Sequence, residues 1–288
     1  MKKSLAMMTA AMMVAGALAG CGSSSSTPAA TTAAATEAAT TEAAGDTAAA
    51  AEGTVKTPSG KFTVGFDQEF PPMGFVGDDG QFTGFDLELA KEVASRLGLE
   101  FVPQPINWDA KDMELDSGNI DCIWNGFTMQ GREDDYTWVG PYMANNQVFV
   151  VTADSDIASK ADLAGKAVEV QKDSSGLAAL QGEAELSASF GSMTEVADYN
   201  TALMDLESGA CDAVCMDSIV AGYQIKSSGK DMKILDDTLA AEEYGIGFKK
   251  GEDELAKAVY DTLMAMKDDG TVAKISNDWF GSDVFTLK

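Results

Sequence analysis

Hydrophobic positions change their period several times along the chain. Over Lys61–Phe66 they alternate, with Phe62, Val64 and Phe66 on one side, which predicts a strand. From Asp86 the spacing lengthens: Ala90, Val93, Ala94 and Leu97 form the apolar stripe of a helix that Asp86 caps and Gly98 ends. Residues 99–103 read as a second strand, 109–117 as a short helix and 119–124 as a third strand. This alternation predicts a parallel α/β sheet. The pattern then restarts. Residues 147–152 read as a strand, Ser159 to Asp162 resembles a capping-box helix start, and 167–170 is a strand that leads through a Ser-Ser-Gly turn into a helix. Strands at 213–216 and 244–248 follow, then two helices with faces built by Leu255, Val259 and Met266 and by Val272, Ile275 and Trp279. Two α/β units in one chain predict two lobes with a cleft between them. Small molecules bind in such clefts, beyond the carboxyl ends of strands.

The N-terminal part carries no such periodicity. Lys2 and Lys3 precede an apolar run over residues 5–19 that is short for a bilayer span, and the run ends in Leu18-Ala19-Gly20-Cys21. That ending resembles a bacterial lipobox. The resemblance implies a signal peptide at 1–20 and a lipid on Cys21; an ordinary signal peptide with an incidental cysteine is the competing reading. From Gly22 to Thr54 there is no Leu, Ile, Val or aromatic residue. Such a segment buries too little to offset its chain entropy, so 21–58 reads as a disordered tether. About 230 residues remain, enough for one large or two small α/β domains.

Charge narrows the function classes. Lys and Arg number 20 against 46 Asp and Glu, a net −26, which opposes nucleic-acid phosphates. The chain has no histidine, and so lacks the commonest catalytic base and metal ligand. Neither a metal nor a cofactor is expected. Cys122, Cys211 and Cys215 are an odd set for a disulfide framework and read as buried free thiols.

Six segments in order carry a resemblance over most of the body. They are Val64-Gly65-Phe66-Asp67 with Phe70-Pro71-Pro72-Met73-Gly74-Phe75; Gly80-Gln81-Phe82-Thr83-Gly84-Phe85-Asp86-Leu87-Glu88-Leu89-Ala90; Asn119-Ile120-Asp121 leading to Asn125-Gly126-Phe127-Thr128 and Arg132; Gly165-Lys166 through Gln171-Lys172-Asp173-Ser174-Ser175-Gly176; Cys211-Asp212-Ala213-Val214-Cys215-Met216-Asp217; and Tyr244-Gly245-Ile246-Gly247-Phe248-Lys249-Lys250-Gly251. Together they resemble the extracellular solute-binding family for polar amino acids, which includes the histidine-, lysine/arginine- and glutamine-binding proteins of ABC importers. The resemblance implies a type II periplasmic-binding-protein-like fold: lobe 1 from 59–145 plus 246–288, lobe 2 from 146–245, each a mainly parallel sheet flanked by helices, joined by a two-crossing hinge. It implies a monomer that captures a free amino acid by lobe closure and passes it to a membrane permease. Its place is outside the cytoplasm, anchored to the bacterial cell membrane and facing either the cell surface or a periplasm.

A zwitterion needs a cation and N–H donors for its carboxylate and an anion for its ammonium. Only two arginines are present. Arg96 falls in the polar part of the first helix. Arg132, past a strand end, suits a bidentate grip on a carboxylate; an ion pair with Glu133 or Asp134 is the alternative. Ser174 and Ser175 open a helix, at once an N-cap and an anion site. Asp217 resembles the family's ammonium partner, or caps the helix from Ser218. Asp67 and Phe70 resemble the side-chain reader and aromatic lid. Trp108 is a second wall or core packing, Trp124 is core, and Asn125, Gly126, Thr128 and Gln171 complete the ligand-binding set. Two departures stand out: Thr128 to Arg132 is one residue shorter than is common in the family, and Asp173 replaces a usual glycine. Two rivals remain, a cyclohexadienyl dehydratase-like enzyme on the same fold and a ligand-sensing surface lipoprotein.

Overall fold

A computed structural model describes Thr57 and residues 59–288. The expectations for the leader, for Cys21 and for nearly all of the tether lie outside these residues. The chain runs β1 (Lys61–Phe66), β2 (Glu69–Phe70), β3 (Gly74–Val76), β4 (Phe82–Thr83), α1 (Phe85–Leu97), β5 (Glu100–Pro105), α2 (Lys111–Asp116), β6 (Cys122–Thr128) and β7 (Tyr136–Thr152). It continues with β8 (Ala167–Gln171), α3 (Ser175–Gly182), α4 (Ala184–Ser189), β9 (Ser192–Val196), α5 (Tyr199–Ser208), β10 (Ala213–Asp217), α6 (Ser218–Ser228), β11 (Met232–Ile234), β12 (Ala240–Lys249), α7 (Asp253–Asp268) and α8 (Thr271–Phe280).

One sheet has the order β5-β1-β6-β12-β7-β10-β8-β9, with β11 also on β7. The β5-β1-β6 end and the β10-β8-β9 end are each parallel. Antiparallel β12 and β7 join them. The fold is thus mixed α/β, as the alternation predicts. Helices α1, α7 and α8 bury Phe85, Val93, Val259, Leu263 and Val272 against the first end. Phe149, Leu163, Val170 and Leu180 fill a separate core at the other. Truncating one such side chain costs about 2–5 kcal/mol.

Several expectations shift. Gly84, not Asp86, occupies the N-cap of α1; its φ is 137°, and a Cβ there would lie 2.3 Å from the carbonyl oxygen of Met73. Asp86 sits inside the first turn, fully buried. The third strand starts later and extends through Thr128, so Asn125, Gly126 and Thr128 belong to β6 itself. Ser159 forms its capping box, but on a single 3₁₀ turn over Lys160–Leu163. The crossings near Asn145 and Gly245 run as continuous strand inside β7 and β12. There the ladder slips by a bulge between Tyr244 and Ile246, and a Cβ on Gly140 would lie 2.9 Å from the Cα of Gly245. Cys122, Cys211 and Cys215 are buried free thiols. No helix among the described residues is long and apolar enough to cross a membrane.

Candidate functional site

Strand β6 is buried along its whole length, and its C-terminal half forms one wall of the site. Gly126 has φ 58°, and a Cβ there would lie 2.9 Å from Phe70 and 3.1 Å from Tyr244. Only glycine fits both that backbone and that space. Asp86 fixes this turn from below: its Oδ2 accepts from the Gly126 N–H at 2.7 Å and from the Tyr142 hydroxyl at 2.8 Å. Burial nevertheless raises its pKa to about 7.

Nine of the eleven residues expected from the sequence line one small cavity. From β6 and the loop after it come Gly126, Thr128 and Arg132. The Arg132 guanidinium lies 5.1 Å over the Phe127 ring and donates to the carbonyls of Thr128 at 3.2 Å and Asp173 at 3.4 Å. It pairs with neither Glu133 nor Asp134. Phe70 packs against Tyr199 with ring centroids 5.9 Å apart. Trp108 meets Phe127 edge-on at 5.6 Å and carries the Lys111 ammonium 5.3 Å above its ring. From β8, the start of α3 and the end of β10 come Gln171, Ser174, Ser175 and Asp217. Ser174 caps α3, its hydroxyl accepting from Leu177 N–H at 3.1 Å.

Asp67 and Asn125 do not line this small cavity. The Asn125 side-chain Oδ1 accepts from the Asp67 N–H at 2.9 Å, which makes it a support for the loop after β1. Asp67 accepts from the Gln171 amide at 2.7 Å, and burial raises its pKa to about 6. The Asp173 charge beside the site is answered by Lys111, which is buried to 2% exposure and donates to both the side chain and the carbonyl of Asp173. Asp173 takes φ 55°, the left-handed region that a glycine would fill without strain.

Asp217 stands at the N-cap of α6 but its side chain caps nothing. Its carboxylate instead accepts from Asn145 Nδ2 at 2.7 Å, the Tyr244 hydroxyl at 2.8 Å and the Tyr199 hydroxyl at 3.3 Å. Burial first, and then the neighbouring Glu242, raise its pKa to about 7. Glu242 was not among the expected residues. Its Oε2 accepts from Thr128 at 3.0 Å, Asn145 and Gln147 at 3.1 Å each, and Ser175 at 3.3 Å. The period-2 pattern of β12 holds the signal for it. Glu242 is in phase with Tyr244, on the inward face of a strand whose intervening Glu243 is exposed.

The cavity among these groups measures about 10 Å³, room for about one water. Trp108 is shared with an outer cavity of about 1020 Å³, which is also lined by Asp67, Glu69, Asp109, Glu195 and Asp198. Lys172 spans its rim, 2.6 Å from Asp109. The geometry thus offers a cation and helix N–H groups facing buried carboxylates, beside a roomy acidic vestibule.

Comparison with known proteins gives the same frame. The family model for bacterial extracellular solute-binding proteins, family 3, matches residues 62–282. The L-cystine-binding protein TcyJ of Escherichia coli strain K12 is 32% identical over 231 residues, covering 78% of this chain and 84% of that one. An ABC uptake transporter substrate binding protein from Streptococcus pneumoniae, solved with bound histidine, superposes with a TM-score of 0.77 at 34% identity, covering 80% of this chain and 96% of the other. The ancestral amino acid-binding protein AncCDT-1, described as a precursor of cyclohexadienyl dehydratase, superposes with a TM-score of 0.70 at 31% identity, over 77% and 96%.

Proposed function

Because the chain belongs to the bacterial extracellular solute-binding proteins of family 3 and shares their type II periplasmic-binding-protein-like fold, we propose that it captures a free polar L-amino acid and delivers it to an ABC-importer permease. Arg132 takes the α-carboxylate with the N-terminus of α3, and Asp217 takes the ammonium. The observation that carries this reading is that Arg132, just past β6, and Asp217, at the end of β10, line one cavity. An ion-paired zwitterion meets its complement there, and the bidentate guanidinium is the stronger grip on a carboxylate.

Lobe 1 comprises 59–145 with 246–288 and lobe 2 comprises 146–245; a ligand bound to both favours the closed state that the permease reads. The protein acts as a monomer, outside the cytoplasm, held to the membrane by a lipid on Cys21. It is a carrier, not an enzyme. Its side-chain selectivity lies at Asp67, Trp108 and the acidic vestibule, which suit a long polar or cationic side chain. L-cystine, arginine and histidine are the first candidates, since the relatives are named for or crystallised with such ligands.

A thermal-shift screen against the proteinogenic amino acids and L-cystine tests this. A ligand that binds only the folded state raises the melting temperature by several degrees at about a hundredfold excess over its Kd. Arg132→Ala abolishes the shift; a shift unchanged in that variant refutes the assignment. One observation favours a second reading, a dehydratase: Asp217 is a buried acid in the cavity with a pKa near neutrality, the condition for a general acid. Loss of water and carbon dioxide from prephenate on incubation would select that reading over the first.

A further inference from the structure

Two carboxylates meet at the inner wall of the site. Asn145 Nδ2 donates to Asp217 Oδ1 at 2.7 Å and to Glu242 Oε2 at 3.1 Å, so a single amide nitrogen bridges the two acids. Both are buried, at 3% and 6% exposure. Neither takes part in any ion pair among the described residues. The groups that hydrogen-bond to them are neutral, and Arg132 is the charged side chain that shares their cavity. Tyr199 on α5 and Tyr244 on β12 donate hydroxyls to Asp217. Thr128 on β6, Gln147 on β7 and Ser175 on α3 donate to Glu242. Cys215, two residues back along β10, is a buried thiol whose pKa is pushed up by burial. The Arg132 guanidinium spends its bonds on the carbonyls of Thr128 and Asp173.

Two like charges this close, buried and hydrogen-bonded only by neutral donors, do not both ionise at neutral pH. We propose that Asp217 and Glu242 share one proton in the ligand-free protein, and that the ammonium of the captured amino acid displaces it, so that binding releases a proton. The inference rests on the proposed capture of an amino acid and assigns Glu242 a part in it as the second anion of the ammonium site. The exchange conserves charge. One proton leaves for solvent as one ammonium arrives, and the wall stays at a net −1 throughout. An uncharged isostere of the ammonium has nothing to offer in exchange and leaves the proton where it is.

Two measurements on the purified protein test this, and the first needs no ligand. Infrared difference spectra at pH 7 between wild type and Asp217→Asn, and between wild type and Glu242→Gln, report the carbonyl stretch of a protonated buried acid. The band is lost in both variants, because removing either charge ends the sharing. Survival of this protonated-acid band in either variant overturns the proposal. The second is calorimetric titration with L-cystine, L-arginine and L-histidine in phosphate and in Tris at pH 7. The enthalpy difference between buffers counts released protons, with roughly half to one expected per ligand. Affinity then weakens as pH falls from 7, by at most about tenfold per pH unit. Tight binding with buffer-independent enthalpy refutes the proton exchange and leaves the capture function standing. A lack of binding by every amino acid, with the infrared band present, refutes the capture function and leaves the shared proton standing.

Discussion

Replacing Gly126 by alanine separates two costs that the site imposes on one position. The first is conformational. At φ 58° an L-residue pays about 1–2 kcal/mol for the left-handed region. The second is steric. The new Cβ would lie 2.9 Å from Phe70 Cε1 and 3.1 and 3.2 Å from two carbons of the Tyr244 ring. Forcing a methyl into such a packed wall costs about 1–3 kcal/mol. The sum is about 2–5 kcal/mol, or a fall of roughly 4–20 °C in melting temperature for a body of this size. Gly98 supplies the control: its φ is 70° and nothing lies within 4 Å of a Cβ there. Gly98→Ala therefore reports the conformational cost alone. Calorimetric unfolding of both variants is the assay, and Gly126→Ala melts several degrees below Gly98→Ala. Since Tyr244 holds Asp217 through its hydroxyl, the displaced ring also weakens ligand binding. Equal melting temperatures in the two variants would falsify the steric argument.

Stability falls as pH rises. Asp67, Asp86 and Asp217 have folded pKa values raised by burial to about 6, 7 and 7, so the folded state binds more protons than the unfolded one between pH 4 and 7. The melting temperature drops by about 5 °C or more from pH 5 to pH 8, and Asp86→Asn flattens the slope; identical slopes in variant and wild type refute its share. A double-mutant cycle of Lys111→Met and Asp173→Gly gives a coupling of about 1 kcal/mol, reduced because the Asp173 side chain is half exposed; additivity within error denies the pair. Cys122, Cys211 and Cys215 resist a thiol reagent in the native body at pH 8 and react on denaturation, since burial raises all three thiols. Rapid native labelling contradicts their burial.

Regular elements were readable where one physical cause dominates. The alternation of β1 and the three-and-four spacing of α1 and α8 follow from burial of a single face. Strand β7 runs well upstream of the 147–152 segment that the pattern predicts, through Gly140, Pro141, Asn145 and Asn146, because the ladder with β12 carries these residues. The ribbon β2-β3-β4 is too short to leave a period, and β9 is an exposed edge with little apolar signature. The same logic divides the site. Arg132, Ser174 and Asp217 sit at element ends, where polar residues invite a functional reading. Asn145, Gln147 and Glu242 lie mid-strand, where a polar residue reads as solvent-facing unless its partners are known. Asp86 deceived in the other direction, since an acid at a helix start is usually a cap and here is a buried strut under Gly126.

The two ends of the sheet are joined by ribbon rather than by loose loops. Strands β7 and β12 pass from one end to the other while hydrogen-bonded to each other. Bending one end against the other would therefore act as on a leaf spring, spread over the many dihedrals of a hydrogen-bonded ribbon instead of a few in a loop. The leaf is thinnest at the bulge, where Gly140 faces Gly245 with Met129 packed over both. A Cβ added at either glycine would meet the facing strand, Met129 or Trp138 at 3.0 Å or less and push the two leaves apart, so the crossing keeps its thinness only while both positions stay glycine.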